Sequence, residues 1–326
     1  MTDYKTIHGF KVRSYTTDPD NLITGQVWYD KTNKVLQFQS EGAGAWATTN
    51  SLNTARDQIA GAGSTTSGLV FGENFGGETE LFNGTSWTEK NDLNTSRRAL
   101  AGAGASGTAA LAFGGNLHHA GPNAATDVTE TFDGTNWTEV ADLNQARSFL
   151  TGTGTNTAAL ALGGSTGSGG NPPITEENES WNGTSWTELG DLNTNRNALA
   201  AGGTYTSAIA FGGGTHPTIH AIAEVWNGST WTEVADLNQQ RNALGGAGST
   251  STAAVAFGGS EPPSTGKTEV WNGTSWSEQG DLSNARTYLA SSKGSNTAAL
   301  AMGGSSSTHS EQWTNPVLVI KTIDTD

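Results

Sequence analysis

The chain has 326 residues with 31 Asp plus Glu, 16 Lys plus Arg and no Cys, so its formal net charge is −15. The missing Cys excludes disulfides, thiol catalysis and Cys-ligated zinc or iron–sulfur sites, and sparse, unclustered Lys and Arg exclude the basic patch a nucleic-acid partner needs. Only 14% of residues are charged, yet 44 Gly stand beside 11 Trp, 10 Phe and 5 Tyr, the composition of a folded, turn-rich chain rather than a disordered one.

The first segment, Met1-Thr2-Asp3-Tyr4-Lys5, opens no apolar stretch, which predicts no secretory signal. Four strand candidates follow, at Thr6 to Ser14, Gly25 to Tyr29, Val35 to Gln39 and Trp46 to Thr49. From Leu52 onward one pattern recurs six times, with its Arg at 56, 97, 147, 196, 241 and 286. Each copy reads approximately L-N-x-x-R-x-x-L-x-G-x-G, then a small-polar stretch, then A-L-A-F-G-G, then T-E-V-W-N-G-T-S-W-T-E. The Trp residues at 46, 87, 137, 186, 231 and 276 each precede the next Arg by ten residues. From each Arg to the Gly closing the apolar run is 16 or 17 residues, whereas from that Gly to the next Trp is 15 to 23. Insertions are tolerated in surface loops and not inside paired strands, so the Trp-to-Gly frame is rigid and one loop per repeat varies.

Each repeat holds four strand candidates: A, such as Ala99 to Gly104; B, such as Ala109 to Phe113; C, such as Glu224 to Trp226; and D, such as Thr230 to Glu233. Asn-Gly or Asp-Gly between C and D predicts a tight type I′ hairpin turn. No segment has sustained helical periodicity. Val317 to Ile320 is too short to span a membrane and is predicted to supply the last outer strand, over Val317 to Lys321. Four strands in about 45 residues describe a propeller blade. The ten-residue Trp46-to-Arg56 spacing predicts seven blades, with residues 1–50 a degenerate first blade and 51–326 the rest; the alternative is six blades with an N-terminal appendage.

The L-x-x-x-R, A-L-A-F-G-G and W-N-G-x-x-W-T-E motifs resemble kelch repeats, the galactose-oxidase-like β-propellers, over Leu52 to Trp313. That resemblance implies an all-β, kelch-type β-propeller of four-stranded antiparallel blades that binds partners on the face carrying the B–C and D–A connections. The sequence departs from the family where kelch blades often carry Tyr, at Phe82, Phe132, Trp181, Trp226, Trp271 and Trp313. Copper chemistry of the galactose-oxidase kind requires a cross-linked Cys, which is absent. Separately, Tyr4 to Phe10 and Gly25-Gln26-Val27-Trp28-Tyr29-Asp30 resemble N-terminal segments of structural proteins of tailed bacteriophages.

The six repeated Arg are read as structural clamps, because a residue that recurs in each blade is architecture before it is a site. Their candidate partners are Asp92, Asp142, Asp191, Asp236 and Asp281, or the repeated Glu80, Glu130, Glu179, Glu224, Glu269 and Glu311. The repeated Trp are read as packing between blades rather than as a sugar platform. The Asn-Gly-Thr-Ser sequons are explained by the hairpin turn. His118-His119 and His216…His220 sit in Gly/Pro/Asn-rich loops with no recurring acidic partner, so neither metal nor cofactor is expected. The singular residues lie in the B–C loops, and binding is expected there, at His118, His119, Asn123, Asn171, Pro172, His216 and His220.

The expected function is a non-enzymatic structural or binding protein of a tailed-phage virion, assembled in the host cytoplasm, with a tail-appendage or receptor-binding role. Its expected partners are other virion proteins and a host surface glycan or protein, met in many copies without membrane insertion. Alternatives are a capsid decoration protein, a polysaccharide-acting enzyme and a bacterial kelch adaptor.

Overall fold

The computed structural model describes residues 12–19, 25–73, 76–117, 124–167, 173–315 and 318–323. They form two compact units, one of residues 1–44 with 315–326 and the other of residues 45–314. Among the described residues no helix occurs.

The larger unit is a β-propeller. Six four-stranded antiparallel sheets follow one another along the chain. Blade one, for example, is Ala60–Gly63, Gly68–Phe71, Thr79–Phe82 and Trp87–Lys90, and blade three is Thr151–Thr155, Ala158–Leu162, Asn178–Trp181 and Trp186–Glu188. The inner A strands contact one another in succession, and the A strand of blade six, Ala290–Ser291, returns to that of blade one. Blade six is completed by the earliest strand of this unit: Ala45–Thr48 pairs with Ser310–Thr314, Trp46 opposite Trp313.

That closure corrects two expectations. Residues 1–50 do not supply a seventh blade, and Trp46 marks the outer strand of the sixth. Leu318–Ile323 is not a propeller strand either; it pairs antiparallel with Val35–Glu41 in the smaller unit. There Val27–Asp30 pairs antiparallel with Val35–Glu41 and parallel with Arg13–Tyr15.

Six buried clusters lie between successive blades rather than within them. Between blades one and two, Leu69 and Phe71 meet Leu100, Ala110, Phe132 and Trp137; between blades six and one, Leu300 and Met302 meet Val70, Phe82 and Trp87. The strand-D tryptophans stitch neighbours polar-side as well: Trp137 Nε1–H donates to Thr79 Oγ1 at 3.0 Å and Trp186 Nε1–H to Thr129 Oγ1 at 3.1 Å. These two rings thus set their apolar bodies in the core and give their N–H groups an acceptor on the preceding blade.

The C–D connections depart from the expected type I′ turn. Asn83 keeps negative φ, only Gly84 is positive at 93°, and the Asn83 carboxamide oxygen accepts from the N–H groups of Thr85 and Ser86, both at 2.9 Å. The Asn side chain therefore closes the turn itself. At the other end of blades two to six, the Gly-Gly after strand B is needed because both positions have positive φ, 64° at Gly114 and 111° at Gly115.

Candidate functional site

Each clamp arginine is buried and ion-paired to the strand-C glutamate of its own blade: Arg147 Nη2 to Glu179 Oε1 and Arg196 Nη2 to Glu224 Oε1 at 2.8 Å, Arg241 to Glu269 and Arg286 to Glu311 at 2.7 Å, with Arg56–Glu80 and Arg97–Glu130 alike. Most guanidiniums also donate to backbone carbonyls at the strand B–C joint, as Arg147 does to Gly163 O (3.0 Å) and Glu177 O (2.8 Å). The second oxygen of each Glu caps the preceding loop; Glu179 Oε2 accepts from the N–H of Asn144 at 2.8 Å. Burial pushes the Arg147 and Arg196 guanidiniums below their ordinary range, and the facing glutamate charges oppose that shift. The repeated aspartates do a different job: Asp142, Asp191 and Asp281 accept from the N–H that opens strand C, at Thr129, Asn178 and Thr268.

Two residues beyond each clamp stands a left-handed residue that is not glycine: Gln58, Ala99, Phe149, Ala198, Ala243 and Tyr288, with φ from 49° to 53°. This conformation costs roughly 1–2 kcal/mol per L-residue. It is held because the six seats hydrogen-bond in a closed ring. Ala99 N–H donates to Gln58 O, Phe149 to Ala99, Ala198 to Phe149, Ala243 to Ala198, Tyr288 to Ala243 and Gln58 back to Tyr288, at 2.7 to 3.1 Å. The six seats encircle the mouth of the central channel.

Three of these seats are small, and the two aromatic ones sit in opposite blades. Phe149 and Tyr288 meet with ring centroids 5.9 Å apart at 58°. Above them opens a cleft of about 400 Å³, lined also by Asn197, Asn242, His216, Pro217, Ile219 and Pro262. Tyr288 is 37% exposed, a large apolar ring left at the surface. A hairpin of Gly214–Thr215 and Thr218–Ile219 raises one wall, and bridges Asn197 to Gly214 and Asn242 to Ser260 bind the D–A segments to the B–C loops. Both sets of connections therefore share this face. The lining carries amides, aromatic rings and prolines but no carboxylate, Lys or Arg, so it suits a neutral ligand with hydroxyl or amide groups.

Of the expected binding residues, His216 lies in the cleft wall. His220 is turned into its own loop, its Nε2 3.2 Å from Thr215 Oγ1, and burial followed by the Arg196 charge pushes its pKa down. His118, His119, Asn123, Asn171 and Pro172 lie outside the described residues. Among the described residues no three His, Asp or Glu groups converge as metal ligands.

Blade one departs from the others by placing Glu73 where a second glycine stands elsewhere. Burial, then the hydrogen bond and charge of Glu78, push the Glu73 carboxyl up to about 7.

Sequence reasoning passed over Phe149, Tyr288, Asn197 and Asn242. Their signal was present: in an otherwise fixed frame, the two seats after each Arg read Asp-Gln, Arg-Ala, Ser-Phe, Asn-Ala, Asn-Ala and Thr-Tyr. Variation at those seats is as informative as variation in loop length.

No protein-family model matches the chain, and no curated protein matches it. Among solved structures, one titled "Structure of YjhT" superimposes with a TM-score of 0.66 at 12% sequence identity, over 85% of this chain and 99% of that one. At that identity the likeness concerns the propeller fold.

Proposed function

We propose that this chain is a non-enzymatic, kelch-type binding protein of a tailed-phage virion, holding a host surface glycan or protein at the mouth cleft of its loop face. The observation that carries the reading is the pair of aromatic seats, Phe149 and Tyr288, facing each other across a ring otherwise filled by Gln58 and three alanines, beneath a cleft without formal charge. A ring face beside carboxamides stacks on the apolar face of a sugar and hydrogen-bonds its hydroxyls. The likeness of residues 4–10 and 25–30 to phage structural proteins supplies the context, and in this reading attachment to other virion proteins is assigned to the second compact unit, to which residues 25–30 belong. In many copies, weak single contacts sum to useful avidity.

The test is adsorption of the purified full chain to bacterial cell envelopes and isolated surface polysaccharides. Phe149→Ala with Tyr288→Ala is expected to weaken adsorption roughly 10- to 100-fold, about 1.4–2.7 kcal/mol, with the melting temperature kept within about 2 °C. Unchanged adsorption by a folded double variant would remove the cleft from the function.

One observation favours an enzyme acting on polysaccharide: Glu73 and Glu78 are neighbouring carboxyl groups, one of them pushed up to about 7, a value suited to a general acid. The same incubations separate the readings. The binding account expects no release of reducing sugar; release that Glu73→Gln abolishes would establish the enzyme.

A further inference from the structure

We propose that the central channel of the propeller is a binding site for a small inorganic anion of the halide class, held on the ammonium of Lys293. The inference is independent of the adsorption reading, because it concerns the channel below the Phe149–Tyr288 closure and not the cleft above it.

The channel is walled by the six inner strands and offers about 80 Å³, room for one small ion with a few waters. Its lining is almost wholly small and uncharged: Gly61, Gly102, Gly152, Ala200, Gly246 and Ser291 stand one from each blade. Seven residues beyond the clamp Arg, five blades carry glycine, at Gly63, Gly104, Gly154, Gly203 and Gly248. Blade six carries Lys293 instead, and it is the one charged residue in the channel lining.

Blade six departs from the others here: its A strand ends at Ser291, so Lys293 stands just beyond the strand, where its N–H donates to Gly63 O at 3.0 Å. Among the described residues no carboxylate forms an ion pair with it, in contrast to the six clamp arginines, each of which has its glutamate. Burial alone pushes the amine down to about 8, with no neighbouring charge to offset it.

Keeping a half-buried cation in a narrow channel without a counter-charge carries a cost. A bound anion removes that cost. The walls suit one: glycine and alanine let an ion approach the backbone closely, and the Phe149–Tyr288 contact separates the site from the cleft above. A cation would be repelled by the ammonium.

The experiment uses bromide as probe on the full chain. Raising bromide from about 10 to about 200 mM at constant ionic strength, balanced with a bulky organic anion, is expected to raise the wild-type melting temperature by about 2 °C. Lys293→Gly, which restores the residue of the other five blades, and Lys293→Met are both expected to show no bromide dependence. Crystals of the wild type in bromide are expected to show an anomalous peak within about 3.5 Å of Lys293 Nζ. An equal rise in both variants, no rise in the wild type, or a channel without a bromide peak would each overturn the proposal. None of these readouts requires the partner, so they stand or fall separately from adsorption.

Discussion

Replacing Arg147 with alanine is expected to destabilise the propeller by about 3–5 kcal/mol, a fall of roughly 10 °C in melting temperature. The cost comes from what is left behind. Glu179 would remain buried and charged with Asn144 as its chief donor, and the carbonyls of Gly163 and Glu177 would lose the guanidinium that joins them. Arg147→Lys is expected to recover little, because a compact ammonium cannot span a carboxylate and two carbonyls as a planar fork does. The exposed Lys267–Glu278 pair at 3.4 Å is the contrast, and Lys267→Ala is expected to cost no more than about 1 kcal/mol. Thermal and urea unfolding check both. An Arg147→Ala protein within about 1 kcal/mol of wild type would remove the clamp from the energetics of the fold.

Gly152→Val is expected to cost at least about 3 kcal/mol, although valine is intrinsically the better strand residue. A Cβ at Gly152 would lie 2.7 Å from the Gly102 carbonyl oxygen of the adjacent inner strand and would collide with the Phe113 ring. The same closeness recurs around the axis, where a Cβ on Gly102 would lie 2.7 Å from Gly61 O. Neighbouring inner strands packed this closely leave no room for a Cβ at the first glycine of Gly-x-Gly, whereas the second is needed for its positive φ, 87° at Gly63 and 103° at Gly154. Chemical denaturation measures the effect. A neutral substitution would mean that the inner strands are not packed at this distance.

Much of the fold was legible because it is local and repeated. Strand B of blade two runs Ala109–Phe113 as expected, and strand D of blade four, Trp231–Glu233, is one residue shorter than the expected segment. Closure was not legible. The Trp46-to-Arg56 spacing describes the joint between a D strand and the next A strand, and that joint is the same whichever sheet the D strand completes. The strand candidates at Val35 to Gln39 and Val317 to Lys321 likewise do not say that they pair with each other. The type I′ turn failed because the Asn83 side chain competes for the donors the backbone would otherwise turn on. The mouth was hidden for a geometric reason. Phe149 and Tyr288 are 139 positions apart in the chain and become neighbours only when six blades place blade three opposite blade six. Of the histidines singled out, His216 reaches the cleft and His220 is engaged within its loop, a distinction that depends on the hairpin's geometry and not on composition.

The central claim, that the chain meets its partner at the mouth of the loop face, is tested most directly by amide hydrogen exchange on the full chain with and without saturating cell-envelope polysaccharide. The account predicts slowed exchange at residues 148–150, 197–199, 214–220 and 287–289, which surround the cleft, with no change at the C–D turns 83–86, 133–136 and 182–185 on the opposite face. Protection confined to those turns, with the cleft segments unaltered, would contradict it.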